Sequence, residues 1–106
     1  MRVFGVSLSI FEAMPWQDLV SWNSIIVIHT QNGFTKEGMR LFNLMRRTEI
    51  KPDQATIVTV LQACEDLGVG KLAETIHGLI FKCGMFANVV IVTVLLSMYA
   101  KLGRFP

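Results

Sequence analysis

Charge is scarce in this chain of 106 residues: only 17% are Asp, Glu, Lys or Arg, while 52% are hydrophobic. That balance excludes an intrinsically disordered chain and predicts a folded one with much apolar surface to bury. The net charge of +2 is small as well. It excludes a polybasic tail that grips nucleic acid by charge alone. Cysteine is scarcer still: Cys64 and Cys83 are far apart and form no CxxC pair. A disulfide framework and a structural zinc site find no support, and both residues read as reduced, buried thiols. The opening stretch MRVFGVSLSIFEAMPWQD holds one Arg and a short apolar run. It fits neither a signal peptide nor an Arg- and Ser-rich transit peptide.

Long apolar runs and catalytic signatures are also missing. The longest run, from Met85 to Ala100, contains Asn88, Thr93 and Ser97. A membrane-spanning helix needs about 18 or more consecutive apolar residues, so this segment reads as a buried core helix and no membrane partner is expected. There is no glycine-rich phosphate loop, no G-x-S-x-G and no Cys/His pair in a recognisable arrangement. The expectation is no enzyme: no catalytic residue, no metal ligand and no cofactor. His29 and His77 read as packed or half-exposed helix residues, and Trp22 and Tyr99 as core.

What is present is a repeat of 35 residues. Gly33, Gly68 and Gly103 are spaced by 35, and so are Asp18, Asp53 and Asn88. In that register Val20, Ala55 and Val90 align, as do Trp22, Ile57 and Val92, and Ile25, Val60 and Leu95. Ile26, Leu61 and Leu96 share a position, and His29, Cys64 and Tyr99 share another. Apolar type is kept at nearly every position that would face a core.

Each period reads as two helices. The first begins after Asp18, Asp53 or Asn88, whose side chains can accept a bond from an orphan backbone N–H. It ends at or just before a glycine able to take the left-handed C-terminal conformation. The second runs over 35–47 in one period and 70–82 in the next. In the former, Gly38, Leu41, Phe42 and Met45 lie at helical spacing on one face. Pro52 in EIKPD and Gly84 in KCGMFAN stop these helices. The β-branched run VVIVTV argues locally for a strand, but the 35-residue register outweighs it and makes it helix. The fold class is all-α: an α-solenoid of helix-turn-helix repeats wound into a right-handed superhelix with a concave face.

The phrasing is also that of a known family. AMP..D..SWN, then Q-N-G, then E...LF..M and IKPD, within residues 13–53, resembles plant pentatricopeptide repeat proteins. TIVTVLQACEDLGVGKLAETIHGLIFKCGM resembles that family's long repeat type, and NVVIVTVLLSMYAKLG the start of its short type. The order resembles the PLS class, and the resemblance covers residues 7 to 106. It implies four segments: 1–18, the tail of a preceding repeat; 19–53, a P-type repeat; 54–88, an L-type repeat; and 89–106, the first helix of a truncated S-type repeat. Gly38 stands where the family usually has alanine, which weakens a helix by about 1 kcal/mol.

The resemblance implies binding of single-stranded RNA, about one base per repeat. In the family two side chains per repeat choose the base. Carried over, these are Asn23 with Asp53, similar to a uracil-preferring pair, and Val58 with Asn88, where valine offers no hydrogen bond. The third repeat has Thr93, which looks purine-preferring. Val20, Ala55 and Val90 are the base-sandwiching positions, and Lys101 the phosphate contact. Its equivalents Gln31 and Asp66 are not basic. Asp53 and Asn88 also read as caps, and Val20 and Val90 as packing between repeats. The implied setting is RNA processing or editing in mitochondria or chloroplasts, with other repeat or editing-complex proteins as partners. A protein-interaction scaffold and a truncated gene remnant are the alternatives. The apolar helix 89–99 leads us to expect that the isolated chain self-associates.

Overall fold

A computed structural model describes residues 2–68 and 70–103. All regular structure among them is helical: α1 Arg2–Ala13, α2 Leu19–Gln31, α3 Thr35–Met45, α4 Gln54–Leu67, α5 Gly70–Lys82 and α6 Val89–Lys101. The all-helical class is therefore the one the chain adopts, VVIVTV included. No helix among the described residues is long and apolar enough to cross a membrane. Residues 104–106 of the expected last segment lie outside the described residues. The chain divides into two compact units, Met1–Lys51 and Pro52–Pro106.

In the first unit, α2 starts where Asp18 can cap it. The carboxylate oxygen Oδ1 of Asp18 accepts from the Ser21 backbone N–H and hydroxyl, both at 2.9 Å. Two bonds to an ionised group hold this carboxyl below its ordinary value, the backbone donor of Ser21 being the larger cause. The helix closes with the Phe34 N–H on the His29 carbonyl at 2.9 Å, while Gly33 takes φ +86°. That reversal lays α3 along α2. Ile26, His29, Phe42 and Met45 are essentially sealed between them, and each full-size apolar side chain so buried contributes about 1.5–3 kcal/mol. The α3 helix ends at Met45, two residues short of the sequence expectation, because Arg47 N–H turns to the Leu44 carbonyl at 3.0 Å. On the other flank α1 meets α2 through Phe11 and Trp22, ring centroids 4.7 Å apart and edge to face.

Gly38 has a packing reason. A Cβ there would lie 2.4 Å from Thr30 Cγ2 and 3.3 Å from Thr30 N. Thr30 does not yield easily, since its hydroxyl donates to the Ile26 and Val27 carbonyls at 3.0 and 3.2 Å. The glycine that weakens α3 as an isolated helix lets it close on α2.

In the second unit, α4 begins with a reciprocal capping box. Asp53 Oδ1 accepts from Thr56 N–H at 3.0 Å, and Thr56 Oγ1 accepts from Asp53 N–H at 3.2 Å. The helix ends on Gly68 at φ +66°, whose N–H reaches the Cys64 carbonyl at 2.9 Å. Ile57, Val60, Leu61 and Cys64 are fully buried. Burial pushes the Cys64 thiol up to about 11, so it is held as an inert thiol. Both α5 and α6 pack on α4, burying Ala73, Ile76 and Ile80 from one and Ile91, Leu95 and Met98 from the other.

Candidate functional site

Three first helices carry the positions singled out in the sequence. Val20 on α2 is 72% exposed, Val90 on α6 is 47% exposed, and Ala55 on α4 is exposed too. Burial does not explain their apolar character at this register. Three residues further on stand Asn23, Val58 and Thr93, which share the helix face of the first set. Asn23 and Val58 are half-buried and Thr93 is exposed. The Thr93 hydroxyl donates to the Val89 carbonyl at 2.7 Å, so it presents lone pairs outward and acts as an acceptor.

The polar partners have duties of their own. Asp53 caps α4, as above. Asn88 caps α6: its Oδ1 accepts from Ile91 N–H at 3.1 Å. Its amide nitrogen donates to Gln54 Oε1 at 2.9 Å, a contact that crosses from the start of α6 to the start of α4. Lys101 is 66% exposed at the side chain and pairs with Glu65 at 3.1 Å. A phosphate at Lys101 would have to compete with this carboxylate.

Sequence reasoning missed Gln54 and Glu65. The signal was available: the two contacts join residues 34 and 36 apart, one period minus or plus one. It also missed that His77 Nδ1 and the Tyr99 hydroxyl lie 2.9 Å apart, their rings edge to face at 5.6 Å. This pair flanks an apolar groove of about 270 Å³ between α5 and α6, lined also by Phe81, Phe86, Val92 and Leu96. A second groove, of about 330 Å³, lies between α1 and α2 and takes in Ile10, Met14, Val20 and Ile28. Among the described residues no group of three or more His, Cys, Asp or Glu is placed to hold a metal ion.

The chain matches the PPR repeat family over residues 17–66. A mitochondrial pentatricopeptide repeat-containing protein of Arabidopsis thaliana is 51% identical to it over 98 residues, 92% of this chain. The chain belongs to the pentatricopeptide repeat family. A second relative from the same plant is 39% identical over 97 residues, 91% of the chain. A third, named as chloroplastic, is 35% identical over 96 residues, again 91% of the chain. The chain spans 16%, 12% and 11% of the lengths of these three pentatricopeptide repeat proteins. Against that family the repeated elements acquire a common meaning. A capped first helix, a left-handed glycine and a covering second helix recur as the pentatricopeptide unit.

Proposed function

We propose that the chain is a single-stranded RNA-binding module, the recognition part of an organellar RNA-processing or editing protein. The observation that carries this reading is the recurrence of an exposed apolar residue, Val20, Ala55 and Val90, at one register position of three first helices. Each has the side chain of Asn23, Val58 or Thr93 three residues on. In the first and third of these the apolar surface stands beside a hydrogen-bonding group, Asn23 or Thr93, which suits a base, whose faces are apolar and whose edge is polar. By sequence register Asn23 acts with Asp53, Val58 with Asn88, and Thr93 in the third repeat, in P-, L- and S-type order. The mitochondrial and chloroplastic names of two relatives support an organellar setting.

Contacts to two or three bases bind weakly, so the test is an NMR titration of the labelled chain with short oligonucleotides at low salt. Amide shifts concentrated around Val20, Asn23, Ala55, Val58, Val90 and Thr93, lost on adding salt and reduced by Asn23→Ala, are the expected result. Shifts elsewhere, or none at all, refute it.

The α5–α6 groove favours a second reading, a protein-interaction scaffold. Phe81 and Phe86 stack at 5.1 Å there yet are 67% and 58% exposed. On that reading Asn23→Ala changes nothing and Phe81→Ala abolishes partner binding.

A further inference from the structure

The Asn88 side chain is fixed at both ends. The Ile91 N–H can be met only by an oxygen, so Oδ1 points to α6 and the amide nitrogen must point away. That nitrogen meets Gln54, which must therefore offer Oε1 and turn its own nitrogen outward. The Ile91 backbone donor thus orients both amides. Both oxygens are engaged by donors within the protein. Each oxygen keeps a second lone pair, and the hydrogens left to a ligand are three N–H donors: one on Asn88 Nδ2 and two on Gln54 Nε2. Val58, half-buried on the same α4 helix, adds no polar atom.

We infer that Gln54 is a specificity-determining residue of the second repeat, which sets a donor-rich edge against the base and so favours cytosine. The inference rests on the RNA-binding reading above. Cytosine presents N3 and O2, two adjacent acceptors, on its pairing edge, with the N4 amino group to one side. Uracil places an N3–H between its two acceptors, and that hydrogen would face donors. Guanine presents two donor groups, and adenine a single acceptor beside an amino group. An unmatched donor facing a donor is the penalised arrangement, so discrimination comes from the mismatch as much as from the match.

The test uses Gln54→Glu. The carboxylate still accepts from Asn88 Nδ2, so the clasp survives, and an acidic residue in the first turn favours α4. The two outward donors are replaced by acceptors. Added negative charge weakens every oligonucleotide alike, so the quantity read is the ratio of oligocytidylate to oligouridylate affinity at equal length. A several-fold fall in that ratio is expected, with the bonded Asn88 amide proton retained and moved downfield by the charged acceptor in the NMR spectrum. In Gln54→Ala that proton should shift and exchange faster. An unchanged ratio with binding retained overturns the role of Gln54 and leaves the RNA reading standing. No binding of any oligonucleotide by the unaltered chain overturns both.

Discussion

Helices α2 and α6 stand two periods apart, and their sequences set them the same task. Each starts on a side-chain cap and each is followed by a left-handed glycine, Gly33 or Gly103. Ile25 and Leu95 are buried in both. Beyond that the helices differ. In α2 Ile26 and His29 are sealed under α3 and Trp22 is buried against Phe11 of α1, while Ser21 is half-buried and Ile28 is 37% exposed. In α6 the equivalents of these last two, Ile91 and Met98, are fully buried on α4. The face of Val92, Leu96 and Tyr99 is half-buried or exposed instead. A first helix in this register has two apolar faces and wants a neighbour on each. Hydrophobicity at a position says that a face can be buried; which neighbour stands there decides whether it is.

The sharpest way to break this comparison is to truncate one residue in each helix at the same register. Ile26→Ala should cost about 3 kcal/mol, as buried Ile-to-Ala changes do. Leu96→Ala, at a site 56% exposed, should cost under about 0.5 kcal/mol. Urea unfolding measures both, by Trp22 fluorescence for the first and far-UV circular dichroism for the second. A cost above about 1 kcal/mol for Leu96→Ala that grows with protein concentration would mean that a second copy covers α6, as the expectation of self-association holds.

Much of this was open to reading in the sequence because its causes are local. A carboxylate or amide followed by a helical stretch, and a glycine at its end, act within a few residues. Asp18, Asp53 and Asn88 cap the helices they precede, and Gly33, Gly68 and Gly103 take positive φ. The core residues of α2 and α4 followed from the register, whereas Leu96, at the position of buried Ile26 and Leu61, is 56% exposed. What escaped was lateral. Whether Asn88 meets Gln54, Lys101 meets Glu65 or His77 meets Tyr99 depends on how far α6 is displaced along its neighbours. The packing use of Gly38 escaped because it lies in the distance to Thr30, while helix propensity is a property of α3 alone.

The caps give the next effect. Asp53→Ala removes the two bonds its carboxylate accepts, from the Thr56 N–H and hydroxyl, and should cost about 1.5 kcal/mol; Asn88→Ala removes one cap bond and the exposed bond to Gln54 and should cost about 1 kcal/mol. Equal losses would show that the Thr56 hydroxyl bond to the Asp53 carboxylate contributes nothing. Asp18 adds a pH signature. Its carboxyl is lowered in the fold, so its contribution is present above the ordinary value of 3.8 and is lost as pH falls through the folded value. NMR titration should place its midpoint below 3.8, and Ser21→Ala, which removes the hydroxyl but keeps the larger backbone cause, should move it only part of the way back up.

A smaller effect tests the two second helices against each other. Gly38 and Ala73 are equivalent, 35 residues apart, and both are buried. Gly38→Ala gains about 1 kcal/mol of helix propensity but collides with Thr30, for a net loss of about 1 kcal/mol. In a Thr30→Ala background the same change should become neutral or stabilising. A loss of the same size in both backgrounds would place the obstruction in the backbone of α2 and not in the threonine methyl.

The smallest effect separates folding from binding at Lys101. Its ammonium is mostly exposed while the Glu65 carboxylate is largely buried, 66% against 14%. Screening leaves such a pair little to contribute, so Lys101→Ala should change stability by less than about 0.5 kcal/mol. The pair matters more if RNA binds. While Glu65 holds the ammonium, a phosphate gains from it only by displacing a carboxylate that stays behind, partly desolvated. Glu65→Gln removes that competitor. The affinity for oligouridylate should rise, and the slope of log affinity against log salt should steepen by about 0.7, the share of one phosphate on a single strand. An unchanged slope would mean that Lys101 serves the contact between α4 and α6 and nothing outside the protein.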